Sequence, residues 1–410
     1  MKKKTFYGWI IVGTCCLVMA TTMGIITNCN SLFIKPVAEE LGISRQTISL
    51  MISLQSLGTM IASLFTGKIF NGRNTITVMK TAVIVMTAAY FLNSFANNIL
   101  LLYVTYFING IMLALVTTLP ISFLINNWFI DRTGYALGLA SMGSGFGGAF
   151  FNSLAGHIMN SAGWRNTYRI LALFILVIAV PCIFFVLKLR PEETGEKPYR
   201  EQGEKETDKK QELTGYTFAQ ARKTPILWIL YALAVIIGIC LNSMYTTVSP
   251  HLQDKGYSLV FSANVLSACM LVMAGGKILI GRIFDRYGAK AGFFCACAAL
   301  TTATVGMRFC TFVPALALIV AGVGFGCIFG AVVYPLTVPL VFGKKDYRAI
   351  IGPASALFSL GGIIGPLFAG KVYDMTGTYD LCYTIDIIVM LAVIAVILKV
   401  LPSKDQQFSS

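Results

Sequence analysis

Residues 145–156 read GFGGAFFNSLAG, and residues 359–370, 214 positions further on, read SLGGIIGPLFAG. Gly147-Gly148 falls on Gly361-Gly362 and Ala155-Gly156 on Ala369-Gly370 without a gap. Working outward at the same offset, Gly24 meets Gly238, Asn28 meets Asn242, Pro36 meets Pro250, Gly42 meets Gly256 and Ser44 meets Ser258. Gly67-x-Ile69-Phe70 meets Gly281-x-Ile283-Phe284, and Gly110, Gly138 and Gly163 meet Gly324, Gly352 and Gly377. Nine glycine pairs coincide, where chance would give about two. The chain is a tandem duplication.

What is duplicated follows from composition. Of 410 residues, 56% are hydrophobic and only 12% charged, far from the average of water-soluble chains. A bilayer core roughly 30 Å thick takes about 20 apolar residues per helix. Apolar runs between charges and turn signals predict helices at 8–30, 47–69, 75–96, 99–126, 134–158 and 168–188, then at 225–248, 258–282, 289–308, 312–341, 349–372 and 380–401. The expected fold is an all-α membrane protein of twelve transmembrane helices in two six-helix halves. An even number of spans separates the copies, so they share one orientation and a pseudo-two-fold axis lies along the membrane normal. Residues 1–188 form the first bundle, 189–222 a charged linker, 223–402 the second bundle and 403–410 a tail. Met1–Ala20 opens like a signal peptide, but its apolar run continues without a small-residue cleavage site and reads as a retained first span.

The net charge of +14 invites a nucleic-acid reading until the bases are located. With both termini cytoplasmic, 24 Lys and Arg fall in inside segments and seven outside, at Lys35, Arg45, Arg165, Arg169, Lys255, Arg308 and Lys371. That is the positive-inside pattern, and contact with anionic lipid explains the charge without nucleic acid. The stretch from Lys188 to Lys223 carries nine basic and eight acidic residues with little apolar content, so it cannot build a core and reads as a cytoplasmic connector. Eleven cysteines without a Cys-x-x-Cys spacing and only two histidines, His157 and His251, leave no expected metal, cofactor or nucleophile site.

One feature of the second half carries chemistry. Gly281-Arg282-Ile283-Phe284-Asp285-Arg286-Tyr287-Gly288-Ala289-Lys290 resembles the signature loop of the major facilitator superfamily: a Gly, an Asp four residues on, a following base, then Gly and another base. An Asp at a helix end can bond a neighbouring helix terminus in one conformation and release it in the other. Gly281, Asp285, Arg286 and Gly288 are the expected gating residues, with Gly67 and Arg73 in the first-half copy, where Asn71 stands in place of the Asp. Tyr7-Gly8-Trp9, Phe33-x-x-Pro36-x-x-x-Glu40-Leu41-Gly42-Ile43-Ser44, and Gly361-Gly362-x-x-Gly365-Pro366 followed by Tyr373-Asp374-x-Thr376-Gly377-x-Tyr379 resemble the oxalate/formate antiporter and monocarboxylate porter group.

That resemblance implies a secondary transporter of small organic anions, monocarboxylates in particular, working by alternating access as an antiporter or ion-coupled symporter. It implies no cofactor, a monomer, an inner-membrane location and a counter-anion or proton as the coupled species. Antiporters of this group bind the carboxylate with a base in the eighth helix, and Lys277 is similar in position. A charge there either faces a polar cavity or snorkels. The second base of dicarboxylate exchangers is absent, with Leu357 and Phe358 near its place, and Met273 stands where proton-coupled porters carry an Asp. Gln55 and Tyr334 resemble substrate-touching positions. Asn28 and Asn242 are repeat mates on cavity-lining helices, and Tyr245 lies one turn from Asn242; helix-packing hydrogen bonds are the alternative for each. His157 and Asp386 complete the intramembrane titratable groups. The residues leave two other functions open, an exporter of amphipathic compounds and a transporter-like sensor. An enzyme is not expected, because no paired carboxylates or nucleophile–base pair is visible.

Overall fold

The computed structural model describes residues 6–70, 74–200 and 215–402. The described residues are helical throughout, with ten continuous stretches long and apolar enough to cross a membrane. Two of them, Thr133–Val186 and Leu259–Arg308, run for 54 and 50 residues. At about 1.5 Å per residue each would extend more than twice the hydrocarbon thickness. Both break in the middle at a glycine in the left-handed region, Gly163 (φ 77°) and Gly288 (φ 82°). Counting the two sides of each break separately gives twelve such stretches among the described residues, consistent with the number expected from the sequence.

The helices are α1 (Tyr7–Ile26), α2 (Asn30–Leu41), α3 (Arg45–Ile69), α4 (Thr75–Leu92), α5 (Ile99–Val116), α6 (Thr118–Trp128), α7 (Thr133–Phe174) and α8 (Phe218–Ala221). The second half continues with α9 (Pro225–Asp254), α10 (Leu259–Arg308), α11 (Val313–Gly326), α12 (Tyr334–Phe342), α13 (Tyr347–Thr376) and α14 (Asp380–Val400). Two compact units result. The first comprises Met1–Gly42 and Leu54–Thr207, the second Ile43–Ser53 and Asp208–Ser410. The first nine residues of α3 therefore group with the second unit.

The duplication is visible in backbone geometry. Gly42 and Gly256, repeat mates, are both left-handed (φ 63° and 94°), as are Gly163 and Gly377 (φ 77° and 73°). In the first unit a Cβ on Gly24 would stand 2.7 Å from the Gly147 carbonyl carbon; in the second, a Cβ on the mate Gly238 would stand 3.1 Å from Gly361 Cα. The α1–α7 and α9–α13 crossings are thus built by the same pair of glycines, whose missing side chains let the backbones touch. The fourth span of each half is also interrupted at a related place, at Thr117 between α5 and α6 and over Phe329–Val333 between α11 and α12.

The linker is more ordered at its ends than its composition suggests. Glu196 Oε2 accepts a hydrogen bond from the Tyr7 N–H at the start of α1 (2.9 Å). Tyr199 N–H donates to the Trp128 carbonyl (2.8 Å), and its ring meets Phe6, Trp9 and Phe129. In the second unit Tyr216 N–H donates to the Phe342 carbonyl (2.8 Å), and Asp346 accepts from Phe218 N–H (2.8 Å). Trp128-Phe129 and Phe342-Gly343 are repeat mates, so each half offers the same helix end to one end of the linker. The aromatic and carboxylate contacts come from the bundles, which is why a segment without its own core still has fixed ends. The middle of the linker and the 403–410 tail lie outside the described residues.

Candidate substrate site

Lys277 lies in the first half of α10, and the burial of its neighbours fixes its face. Met270, Met273, Ala274, Ile280 and Phe284, at offsets of three, four and seven residues, are all buried. Leu271, Ile278 and Leu279 are 53%, 50% and 48% exposed and form another face of the helix. At 3.6 residues per turn Lys277 belongs to the former set, and it is half-buried. Among the described residues no carboxylate lies within ion-pairing reach of its ammonium and no acceptor takes a hydrogen bond from it. The neighbouring Gly276 fixes the helix: its Cβ would stand 2.5 Å from the Gly324 carbonyl oxygen and 3.0 Å from the Phe325 ring. A side chain there would force α10 and α11 apart.

The second unit also holds Tyr334, Asn242 and Tyr245. Tyr334 is 2% exposed, packs on Phe293, Phe329 and Phe358 (centroids 5.6, 6.2 and 5.9 Å away), and its hydroxyl has no partner among the described residues. A buried hydroxyl left unbonded is costly, so this is a donor awaiting an acceptor. Phe358 stands near where the resemblance places a second base. Asn242 is half-buried and its amide donates back to the Gly238 carbonyl (2.8 Å). The Tyr245 hydroxyl reaches Met270 Sδ at 3.8 Å.

Gln55 and Asn28, in the first unit, are committed to structure. The chain breaks between α1 and α2, which frees carbonyls that a bilayer cannot hydrate. Gln55 Nε2 donates to one of them, Ile26 O (3.1 Å), while its Oε1 accepts from Asn30 (2.7 Å). Asn28 Nδ2 donates to Ser144 O on α7 (2.9 Å). The repeat mates Asn28 and Asn242 therefore bond differently, one across helices and one along its own.

Of the expected gating residues, Gly281, Asp285, Arg286 and Gly288 follow one another along α10, with Gly288 at the helix break. Asp285 and Arg286 are exposed, and Asp285 makes no hydrogen bond or ion pair among the described residues; the Arg286 guanidinium lies over the Tyr287 ring (5.4 Å to the centroid). Gly67 falls within α3, but its surroundings and Arg73 lie outside the described residues. His157 is exposed and bonded to Ser153 O (2.8 Å). Asp386 is 1% exposed and accepts from the Ser243 hydroxyl on α9 (2.6 Å).

Sequence reasoning missed the ion pairs that form within each unit among the bases assigned to the outside. Five of the seven bases assigned to the outside are ion-paired: Lys35 with Glu39, Arg45 with Asp254, Arg165 with Glu40, and Lys255 and Arg308 with Asp380. His251, buried, donates from Nε2 to Met307 O (3.0 Å) and lies 3.9 Å from Asp380.

Twelve crossings, a duplicated bundle, a central linker and a glycine-bearing turn after the eighth span define a transporter fold. The family model described as Major Facilitator Superfamily matches residues 11–340, and the chain belongs to that superfamily. Among curated relatives, monocarboxylate transporter 13 of Rattus norvegicus is 24% identical over 394 residues, covering 92% of this chain and 85% of its own. Among solved structures, the nucleoside transporter NupG superposes with a TM-score of 0.70 at 13% identity over 97% of this chain and 99% of its own. A D-xylose-proton symporter does so with a TM-score of 0.72 at 12% identity over 98% and 99%. At such identities the structural likeness speaks for the fold alone. The protein is a multi-pass membrane transporter of a small molecule and not an enzyme.

Proposed function

We propose that the protein carries small organic anions, monocarboxylates in particular, across the membrane by alternating access, with Lys277 pairing the substrate carboxylate. The observation that carries this reading is an ammonium on the buried face of α10 with no partner among the described residues. Such a charge is expensive in a bilayer unless an anion or water meets it, and the snorkelling alternative needs the lipid face that Ile278 and Leu279 occupy. The names of the monocarboxylate transporters among its relatives point the same way. Tyr334 supplies a second donor, and Asn242 and Tyr245 on α9 supply further polar groups; within the first unit Gln55 and Asn28 hold the α1–α2 break in shape. Phe358 in place of a second base, packed on Tyr334, suits one carboxylate with an apolar body better than two carboxylates.

No nucleotide-binding loop accompanies the site, so exchange for another anion or an ion gradient supplies the driving force. The linker side is the cytoplasmic side, where most of the bases lie, and the cell's inner membrane is the location. In proteoliposomes, uptake of a labelled monocarboxylate should fall to background with Lys277→Ala while the protein still melts cooperatively. Uptake that survives this substitution unchanged removes Lys277 from the site.

A further inference from the structure

Within the second unit, α9 and α14 meet along a polar seam. Ser243, Thr247, His251 and Lys255 recur every four residues on α9 and just past its end, so they share one face. The first three are 0%, 2% and 1% exposed, and α14 answers each turn. Asp380 Oδ2 accepts from Lys255 Nζ (2.8 Å), and its Oδ1 lies 3.9 Å from His251 Nε2. The Tyr383 ring meets His251 edge to face (4.8 Å between centroids), and its hydroxyl is 2.9 Å from Thr247 Oγ1. Deepest in the pair, about 9 Å along α14 from its start, Asp386 Oδ2 stands 2.6 Å from Ser243 Oγ.

The duplication shows that the fold has no need of this seam. The mates of Ser243, Thr247, His251 and Lys255 are Cys29, Phe33, Val37 and Leu41, and the mate of Asp386 is Ala172. Cys29, Phe33 and Val37 are fully buried, and Phe33 stacks on Tyr168 (4.1 Å). An apolar contact serves in the first unit, whereas the second carries a carboxyl that a bilayer makes costly to ionise.

Facing that carboxyl are Ser243 and the Cys240 thiol from α9, Cys382 Sγ from its own helix (3.8 Å), and the apolar Ile364 and Phe368 of α13, which line with it a cavity of about 310 Å³. From α10 no hydrogen bond or ion pair reaches it among the described residues. The charges of the seam, Asp254, Lys255, Arg308 and Asp380, gather around His251 at the other end. The Ser243 hydroxyl has one hydrogen and two acceptors in range, Asp386 Oδ2 at 2.6 Å and the Cys240 carbonyl at 3.0 Å. A carboxylate takes that hydrogen. A carboxylic acid donates its own to Ser243 Oγ and lets the hydroxyl turn to Cys240 O, so both bonds close only when Asp386 holds a proton. We propose that Asp386 is a proton-binding site, outside the substrate residues named above, that exchanges its proton with water at the Asp380 end by way of the seam. The proposal stands on the second unit alone and on no particular substrate.

Dicyclohexylcarbodiimide tests it. This apolar reagent adds the O–H of a protonated carboxyl across a C=N bond and rearranges to an N-acylurea, which peptide mass spectrometry locates. In the purified parent, labelling of Asp386 should fall about tenfold per pH unit above a single midpoint. The infrared carboxyl band that Asp386→Asn removes should fade over the same range. The downshift of that band after transfer to D2O should slow about tenfold with Tyr383→Phe, which takes one hydroxyl out of the seam. Thr247→Val serves in its place if that variant does not melt cooperatively. Labelling and a band that persist at every pH, or are absent at every pH, would make Asp386 a fixed packing group and overturn the proposal. Exchange as fast in these variants as in the parent would overturn the route. The titration is read in the parent, so it survives a failure of Asp386→Asn to fold. No carboxylate substrate enters the readout, so failure here and failure of the Lys277 reading are separable.

Discussion

Lys277 and Tyr334 are side chains of the second unit whose polar ends have been placed at a cost that nothing among the described residues offsets, and the buried Tyr379 hydroxyl is another. The lysine was legible in the sequence because a lone base four residues before Gly281, amid Met273-Ala274-Gly275-Gly276 and Ile278-Leu279-Ile280, stands out in an apolar helix. What the sequence left open was its face, and that needed the burial of Met270, Ile280 and Phe284 against the exposure of Ile278 and Leu279. For Tyr334 the prediction separates stability from binding. Tyr334→Phe removes a buried hydroxyl without a partner, so stability should stay level or rise by about 1 kcal/mol, while carboxylate affinity should fall roughly five- to tenfold if that hydroxyl binds substrate. Paired melting and binding titrations check it; a drop in stability with affinity intact would make the hydroxyl structural. Gln55 illustrates the opposite case. A glutamine on a lining helix is a fair substrate ligand by position, but the break at Ile26 uses both ends of its amide, and no one-dimensional pattern announces which carbonyl a broken helix will leave bare.

Among elements, the glycine pairs decide where helices cross. The coincidence of Gly24 and Gly147 with Gly238 and Gly361 was readable as a repeat, and the structure gives its physical content: backbone meets backbone at both crossings. A Cβ on Gly147 would run into Ala20 of α1. Gly147→Ala should therefore destabilise by about 1–3 kcal/mol through overpacking, whereas Gly13→Ala, on an exposed face with nothing within 4 Å, should leave stability level or raise it by about 0.5–1 kcal/mol. Melting temperatures of the two variants check this, and equal shifts would mean that the α1–α7 contact is not tight. Helix ends were less legible. The breaks at Gly163 and Gly288 were placed as loops between spans, yet helical hydrogen bonding resumes at once on the far side, so the turn is made by one left-handed residue instead of a connecting segment. The fixed ends of the linker left no local trace for a related reason: composition measures whether a segment can build its own core, and Tyr199 and Tyr216 borrow theirs from Phe129 and Phe342.

For the whole molecule, twelve crossings and a duplicated architecture followed from hydropathy and from nine glycine coincidences, because a bilayer admits few solutions and a repeat halves them. The division into units did not follow. That the first turns of α3 cluster with the second unit depends on Asp374, Asp254 and Gly370, some 200 to 330 positions away, and long-range pairing of that kind leaves no local trace. Substrate class is the property furthest from sequence, since the fold is shared with transporters of nucleosides and of xylose, and it rests here on one unpartnered ammonium. The most direct measurement is therefore thermal stabilisation of the purified protein by a panel of mono- and dicarboxylates, amphipathic drugs and neutral metabolites, in the parent and in Lys277→Gln. A monocarboxylate at about a hundred times its Kd should stabilise the parent by about 2.7 kcal/mol and leave Lys277→Gln unshifted. Stabilisation by amphipathic compounds alone, equal in both proteins, would contradict the account and make Lys277 a bystander to transport.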